Sequence, residues 1–289
     1  MAIRVEEFVA DMLSCMVQKI IALDVDGTLV SWVNHYHISD ETINILNLLN
    51  ANGHYIVLVT GRSMSHIYPL IDLLNFKPQW IAGANGATVF ALQDDEYSLV
   101  FEKTLSTEIP LNYWLNYSPQ AKFAIETARE GFRHSPGFTL RGVPLEIGYP
   151  IPVEELQKIS PAIRIVLTDA FSTESEVYRL MEEAPFDTVG YVHKLNKRIW
   201  FEILPSDASK KNALQKVQNE LGVPLSNIIA FGDGYNDVSM LEWVAQEGYS
   251  VAMGNSVPEL KLVSSTVTSD VLDNGVYKML NRLVEEGKL

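Results

Sequence analysis

A chain of 289 residues that is 47% hydrophobic and 20% charged has room for one large domain or two moderate ones, and its composition is far from that of a disordered or collagen-like chain. Its 22 basic and 36 acidic residues leave a formal charge of −14, which argues against a nucleic-acid surface because phosphate backbones demand a basic face. A single cysteine, Cys15, excludes an intramolecular disulfide and a four-thiolate zinc site, and makes a reducing cytoplasm the expected compartment.

The first 17 residues carry Glu6, Glu7 and Asp11 and do not read as a secretory signal. They read as an N-terminal extension, either an amphipathic helix packed on the domain or a leader before Met16, which stands four residues ahead of the first strand. No charge-free apolar stretch approaches the roughly 18 residues of a membrane span, so no membrane partner is expected. The run Ile20 to Leu23 reads as a strand buried on both faces, with Asp24 emerging at its carboxyl end, where parallel sheets place their ligand sites. Asp24 and Asp26 share strand parity and can face one pocket, while Gly27 lets the backbone turn sharply. An ordinary Asp-Gly turn is the alternative at this point.

Ser39 caps a helix led by Asp40 and Glu41 and carried by Ile43, Leu46 and Leu49, which Gly53 stops. Tyr55 to Val59 is the second strand, Ser63 to Leu74 the next helix and Gln79 to Gly83 the third strand. From about Thr104 to Ile199 the pattern shifts to shorter mixed elements rich in proline, as expected of an inserted α+β domain. Within it Ile163 to Leu167 and Arg198 to Ile203 have β character, and Val153 to Ile159 and Ser172 to Glu183 helical character. The alternation then returns, with a helix from Ser209 to Leu221, a strand from Ile228 to Phe231, a helix around Val238 to Ala245 and a strand from Tyr249 to Ala252. The expected division is therefore 1–17 extension, 18–103 first part of the core, 104–199 insert and 200–289 second part of the core.

Three more polar clusters fall at the sheet edge of Asp24. Thr60 and the amides of Gly61 and Arg62 can donate to an anion at a helix N-terminus, or Thr60 can merely cap that helix. Lys210 opens a helix, where the macrodipole disfavours a cation unless an anion lies nearby; a solvent-facing lysine is the plainer alternative. Phe231 to Asp237, FGDGYND, ends a strand in a tight turn bearing Asp233, Asn236 and Asp237. Magnesium takes one or two protein carboxylates, so Asp24 and Asp233 from adjacent strands would suffice.

These residues together resemble the haloacid dehalogenase superfamily, and within it the Cof-type hydrolases. Leu23 to Leu29 (LDVDGTL), Val59 to Arg62 (VTGR), Ser209-Lys210 and Gly232 to Leu241 (GDGYNDVSML) look like its four motifs, and Ala84 to Ala87 (ANGA) and Phe201 to Lys210 (FEILPSDASK) like Cof-type segments. The resemblance implies an α/β fold, a Rossmann-like core with a mostly parallel sheet, carrying an inserted α+β type-two cap after the third strand. It further implies a magnesium-dependent phosphatase of small phosphate monoesters, sugar phosphates or related metabolites. In that reading Asp24 is the nucleophile that forms an aspartyl-phosphate, and Asp26 protonates the leaving alcohol and then activates water. Thr60, Gly61, Lys210, Asn236 and main-chain amides near Val25 hold the phosphoryl group. Asp24, the Asp26 carbonyl and Asp233 bind Mg2+, with Asp237 holding a metal-bound water or orienting Lys210.

Lys211 stands where Cof-type sequences often have glycine, and Trp32, His35, Tyr36 and His37 form an unusual cluster after the first motif, where one histidine could contact substrate or simply pack. Arg129, Arg133, His134 and Arg141 could form a basic lid or a solvated face. A phosphosugar mutase is the alternative within the same chemistry. A phospho-Asp receiver is the alternative outside it, although a receiver places its acceptor on a middle strand. The oligomeric state is not legible.

Overall fold

The central strand is dry on both sides. Ile20–Leu23 (β1) is fully buried, Ile21 and Leu23 entering one core and Ile20 and Ala22 the other. Each such Ile or Leu contributes about 1.5–3 kcal/mol of burial. The computed structural model describes residues 17–31, 37–139, 148–168, 173–186, 188–195 and 198–289, with only the backbone described at 192–195 and 198. Residues 1–16, most of the expected extension, lie outside this set, as do Trp32, His35, Tyr36 and Arg141.

After β1 come Asp40–Ala51 (α1), Tyr55–Val59 (β2), Met64–Ile71 (α2), Trp80–Gly83 (β3) and the hairpin Thr88–Gln93 (β4) and Glu96–Glu102 (β5). Ser39 caps α1 by accepting from the Thr42 amide, as its sequence predicts. The second helix stops at Ile71 rather than Leu74, because the Leu73 and Leu74 amides bond three residues back, to Leu70 and Ile71, and tighten the last turn. The intervening segment folds as Glu108–Tyr117 (α3), Lys122–Thr127 (β6), Gly131–His134 (β7), Val153–Leu156 (α4), Arg164–Thr168 (β8), Glu174–Glu182 (α5), Thr188–Leu195 (β9) and Arg198–Pro205 (β10). The chain then continues as Lys210–Leu221 (α6), Ile228–Gly232 (β11), Val238–Val244 (α7), Tyr249–Ala252 (β12), Pro258–Val263 (α8), Thr266–Val267 (β13) and Gly275–Glu285 (α9).

Two sheets result. The larger runs β13-β12-β11-β1-β2-β3-β4-β5, parallel as far as β3, with β4 and β5 antiparallel. The smaller, β7-β6-β8-β10-β9, is antiparallel throughout and packs on its own core around Trp114, Phe123 and Phe201. This is the expected α/β core with an α+β insert. Strand β10 pairs with β9 as far as Pro205, so the insert's last strand runs past residue 199, where the sequence pattern places the return to the core. The pattern reads Arg198 to Ile203 as one strand but closes the insert at its first residues, whereas the break in the sequence falls after Leu204, at Pro205-Ser206-Asp207.

Register carries the functional edge. Leu23 stands opposite both Leu58 and Phe231, so β2, β1 and β11 end side by side at Thr60, Asp24 and Asp233. Among the described residues no helix is long and apolar enough to cross a membrane.

Gly86 (φ +92°) lets the turn after β3 press against the start of α6, where a Cβ would stand 2.1 Å from the Ser209 carbonyl oxygen. Gly86→Ala therefore combines backbone strain with a clash against rigid main chain. It should lower stability by about 2 kcal/mol or more, read as a shift in the urea midpoint with unchanged slope.

Candidate active site

Four chain segments that are far apart in sequence meet at the carboxyl edge of the larger sheet. Asp24 leaves β1 with its amide bonded to the Phe231 carbonyl and its side chain only 4% exposed. The turn after it is closed by the Val25 carbonyl, which accepts from Leu29 and Val30, and by the Gly27 amide donating to Val30. At Gly27 (φ +82°) a Cβ would lie 2.0 Å from Asp233 Oδ2, so only glycine lets the Asp233 carboxylate rest against this turn.

Lys210 is the first residue of α6, behind the Ser209 cap, and is buried. Its ammonium donates to Asp24 Oδ1 at 2.6 Å and to Asp237 Oδ1 at 2.7 Å. The solvent-facing alternative is thereby excluded, and the unfavourable macrodipole position is offset by two carboxylates. Asp237 Oδ2 accepts from the amides of Asp233 and Gly234, which shapes the turn after β11. With Oδ1 on Lys210 and Oδ2 on two amides, Asp237 is a support for the lysine and the loop.

Asp26 faces the same edge, held in a fork by Arg62, with Nε to Oδ2 at 2.8 Å and Nη2 to Oδ1 at 2.6 Å. The Arg62 amide donates to Thr60 Oγ1 at 3.1 Å. Thr60 therefore does not cap α2, and its hydroxyl proton remains for another acceptor. Asn236 donates to Asn85 Oδ1, and Asn85 in turn donates to Glu202 of the insert.

Carboxylate oxygens of Asp24, Asp233 and Asp237 lie within 4.8 Å of one another. Burial, reinforced by Asp237, pushes Asp233 up to about 7. Burial also raises Asp24 well above the usual carboxylate range, with Asp237 adding and Lys210 opposing. Lys210 is held above its ordinary value, burial being outweighed by Asp237 and Asp24. Hard oxygen donors gathered in this way suit a divalent cation. Asp24 and Asp233 have the oxygens to bind it, whereas those of Asp237 are engaged.

Several contributors escaped the sequence reading. Asn255, following β12, donates to the Gly27 carbonyl at 2.8 Å and to Asp233 Oδ2 at 3.3 Å, and it accepts from the Val271 amide. Its place just past a recognisable parallel strand was the available signal. Arg62 as the partner of Asp26, and Asn85, had none beyond their motifs. Exposed His37 borders a cavity of about 260 Å³ shared with Thr28, Ser39, Thr42 and Asn274, away from the carboxylates. Arg129 is exposed. Arg133 is turned back onto the Glu130 and Phe132 carbonyls and the Tyr149 ring, and His134 onto the Ser135 carbonyl. The insert reaches the core through other groups. Phe132 stacks on His66, a ring kept neutral at about 4 by burial and by the charges of Arg164 and Arg62.

A nucleophile-like carboxylate, a threonine and an acidic loop at the ends of three adjacent parallel strands, with a buried lysine brought in by α6, define a class of hydrolase. Residues 21–280 match the family model for haloacid dehalogenase-like hydrolases. The chain is similar to the putative phosphatase YxeH of Bacillus subtilis, 27% identical over 92% of this chain and 98% of that one. It is also similar to the 5-amino-6-(5-phospho-D-ribitylamino)uracil phosphatase YitU of the same organism, at 28% over 90% and 96%. A solved subclass IIB sugar phosphatase, BT4131, shares the fold with a TM-score of 0.74 at 21% identity, over 94% of this chain and all of that one. This protein belongs to the haloacid dehalogenase-like hydrolase family, in its Cof-type branch, and is a phosphoric monoester hydrolase. The receiver-like alternative is set aside.

A pH dependence follows. Asp24 and Asp233 bind protons more tightly folded than unfolded, so the metal-free protein loses stability as pH rises, Asp233's share between about 4 and about 7 and Asp24's in the same direction. A divalent cation replaces those protons, so about 10 mM MgCl2 should raise the melting temperature more at about pH 8 than at about pH 5.5. Equal shifts at both values would remove these carboxylates as ligands.

Proposed function

We propose that this hydrolase is a magnesium-dependent phosphatase of small phosphorylated metabolites, sugar or polyol phosphates by class, working in the cytoplasm without nucleic-acid or membrane partners. The observation that carries it is the Asp24 carboxylate at the end of the central strand, gripped on one oxygen by Lys210 and flanked by Thr60 and Asp233 on the neighbouring strand ends. YitU is a phosphatase of a phosphorylated ribityl compound and BT4131 a sugar phosphatase, which supports the substrate class. The acidic charge of the chain supports a small substrate over a polyanion.

Asp24 attacks phosphorus through the oxygen that Lys210 leaves free, forming an aspartyl-phosphate and splitting one displacement into two. The transferring group spreads charge over its equatorial oxygens, so positioning and electrostatics do most of the catalysis. Thr60 donates its hydroxyl proton to one of those oxygens; Lys210, Asn236 and the amides of Val25 and Gly61 serve the others. Mg2+ held by Asp24, the Asp26 carbonyl and Asp233 supplies charge neutralisation when bound. Asp26 gives a proton to the leaving alcohol and later takes one from water. A carboxylate lying in the Arg62 fork is a proton acceptor, which suits the second step; the first step calls for Arg62 to leave it.

Hydrolysis of p-nitrophenyl phosphate with and without Mg2+, followed by a panel of sugar phosphates, tests this reading. Asp24→Asn should lower turnover by about 10⁴-fold or more, and Asp26→Asn by about 10²- to 10⁴-fold. Phosphate should appear in step with alcohol, whereas a mutase would release little of it. Full activity in Asp24→Asn would refute the assignment.

A further inference from the structure

The least expected charged group in the insert is Arg164, on β8 between the buried Ile163 and Ile165 and itself only 4% exposed. Two insert carboxylates neutralise it: Glu126 Oε2 accepts from Nε at 2.8 Å and from Nη2 at 2.6 Å, and Glu202 Oε2 accepts from Nη1 at 3.2 Å. With its charge cancelled and its surface covered, it is not built to meet a substrate anion. The remaining capacity of the guanidinium crosses to the core. Nη1 donates to the Gly61 carbonyl at 2.8 Å and Nη2 to Ser63 Oγ at 2.9 Å. Ser63 stands at the cap position of α2 but makes no cap bond with its side chain; its hydroxyl is engaged by Arg164.

The Gly61 carbonyl belongs to the same peptide unit as the Arg62 amide, and that amide donates to Thr60 Oγ1. A hydrogen-bond chain therefore runs from Arg164 through one peptide to Thr60. Each link polarises the next, and because the Thr60 oxygen is occupied as an acceptor, its proton is aimed elsewhere. Glu202, paired with Arg164, accepts from Asn85, which accepts from Asn236. One insert ion cluster thus touches the supports of both Thr60 and Asn236.

We propose that Arg164 is a positioning residue for phosphoryl transfer, through which the seating of the insert on the core sets the direction of the Thr60 hydroxyl by way of the Gly61–Arg62 peptide. This rests on the reading of Thr60 as a phosphoryl contact. It assigns a catalytic consequence to a residue that never reaches the substrate, and it makes the insert a part of the phosphate site.

The test compares Arg164→Lys, which keeps the charge but not the planar fork, with Ser63→Ala, which removes one contact and leaves no buried charge unpaired. Arg164→Lys should lower kcat for p-nitrophenyl phosphate by about 10- to 100-fold and weaken orthovanadate inhibition by a similar factor. The Mg2+ concentration for half-maximal activity should stay unchanged, which general damage to the site would not allow. Ser63→Ala should show a smaller loss of the same kind. In a Thr60→Ala background the loss from Arg164→Lys should shrink to about twofold, because the two changes act on one hydroxyl. A loss of the same size in both backgrounds would overturn the proposal. One readout needs no turnover: the Arg62 amide proton should move upfield in Arg164→Lys as its peptide loses polarisation. An unmoved Arg62 resonance refutes the relay even where no monoester is hydrolysed, whereas an inert wild-type enzyme with a responsive Arg62 refutes the phosphatase reading alone.

Discussion

The site depends on one buried ammonium. Asp24, Asp233 and Asp237 bring carboxylate oxygens within 4.8 Å of each other, and two like charges at about 4 Å repel by about 4 kcal/mol at an effective dielectric of ~20. Lys210 sits between two of them, and its position at the start of α6 is tolerable only because they are there. The neighbours are shaped around this contact. Gly86 lets the turn after β3 close on the backbone just before the lysine, and Gly27 lets Asp233 lie against the first turn. Three carboxylates and one ammonium leave a formal charge of −2, the complement of a divalent cation. Burial first, and the Asp237 charge second, raise the proton affinity of Asp24 and Asp233 in the same place.

The residues that were legible in the sequence share a local signature. Asp24, Thr60 and Asp233 each stand at the end of a short apolar run with a glycine within the next three residues, so strand, end and turn could be read from a few neighbours. What could not be read depends on tertiary placement. Nothing local tells that Arg62 forks Asp26, that Asn85 bridges Asn236 to the insert, or that Asp237 spends both oxygens on support. The β4–β5 hairpin was also silent. Its two-residue turn is Asp94-Asp95, both at positive φ, without the glycine that ordinarily announces such a turn. In the insert the visible cations were misleading: Arg133 and His134 bond locally, while Arg164, concealed in an apolar strand, crosses to the core.

Each sheet has its own main apolar core, and only a small apolar cluster, Ala84, Ala87 and Ala208 against Ile163 and Leu204, is shared between them. Much of what joins them near the site is polar and directional: Arg164 to Gly61 and Ser63, and Glu202 to Asn85. Apolar packing tolerates small slides, whereas a guanidinium with fixed donor directions does not. Removing one member of such a buried cluster leaves uncompensated charge, typically about 3–5 kcal/mol of destabilisation. An interface of this kind specifies one orientation more than it adds stability, and that orientation is the one in which the loop Thr60 to Arg62 is held.

The three residues of that loop divide the work by chemistry. Thr60 offers the only hydroxyl proton, and its oxygen is fixed by the amide two residues on. Gly61 leaves Asn85 its place, since a Cβ would stand 3.1 Å from Asn85 Oδ1, the atom that receives Asn236, and would push that amide by a few tenths of an ångström. Arg62 contributes at both ends, its amide to Thr60 and its guanidinium to Asp26. A displacement of the loop would therefore disturb the Thr60 hydroxyl and the Asp26 carboxylate at once, so the proposed phosphoryl contact and the proposed acid/base share one support. Lysine at position 62 could keep the amide but not the two-point grip on Asp26, and valine at 60 would keep the shape but lose both the oxygen that receives the Arg62 amide and the proton that the proposed reaction asks of it.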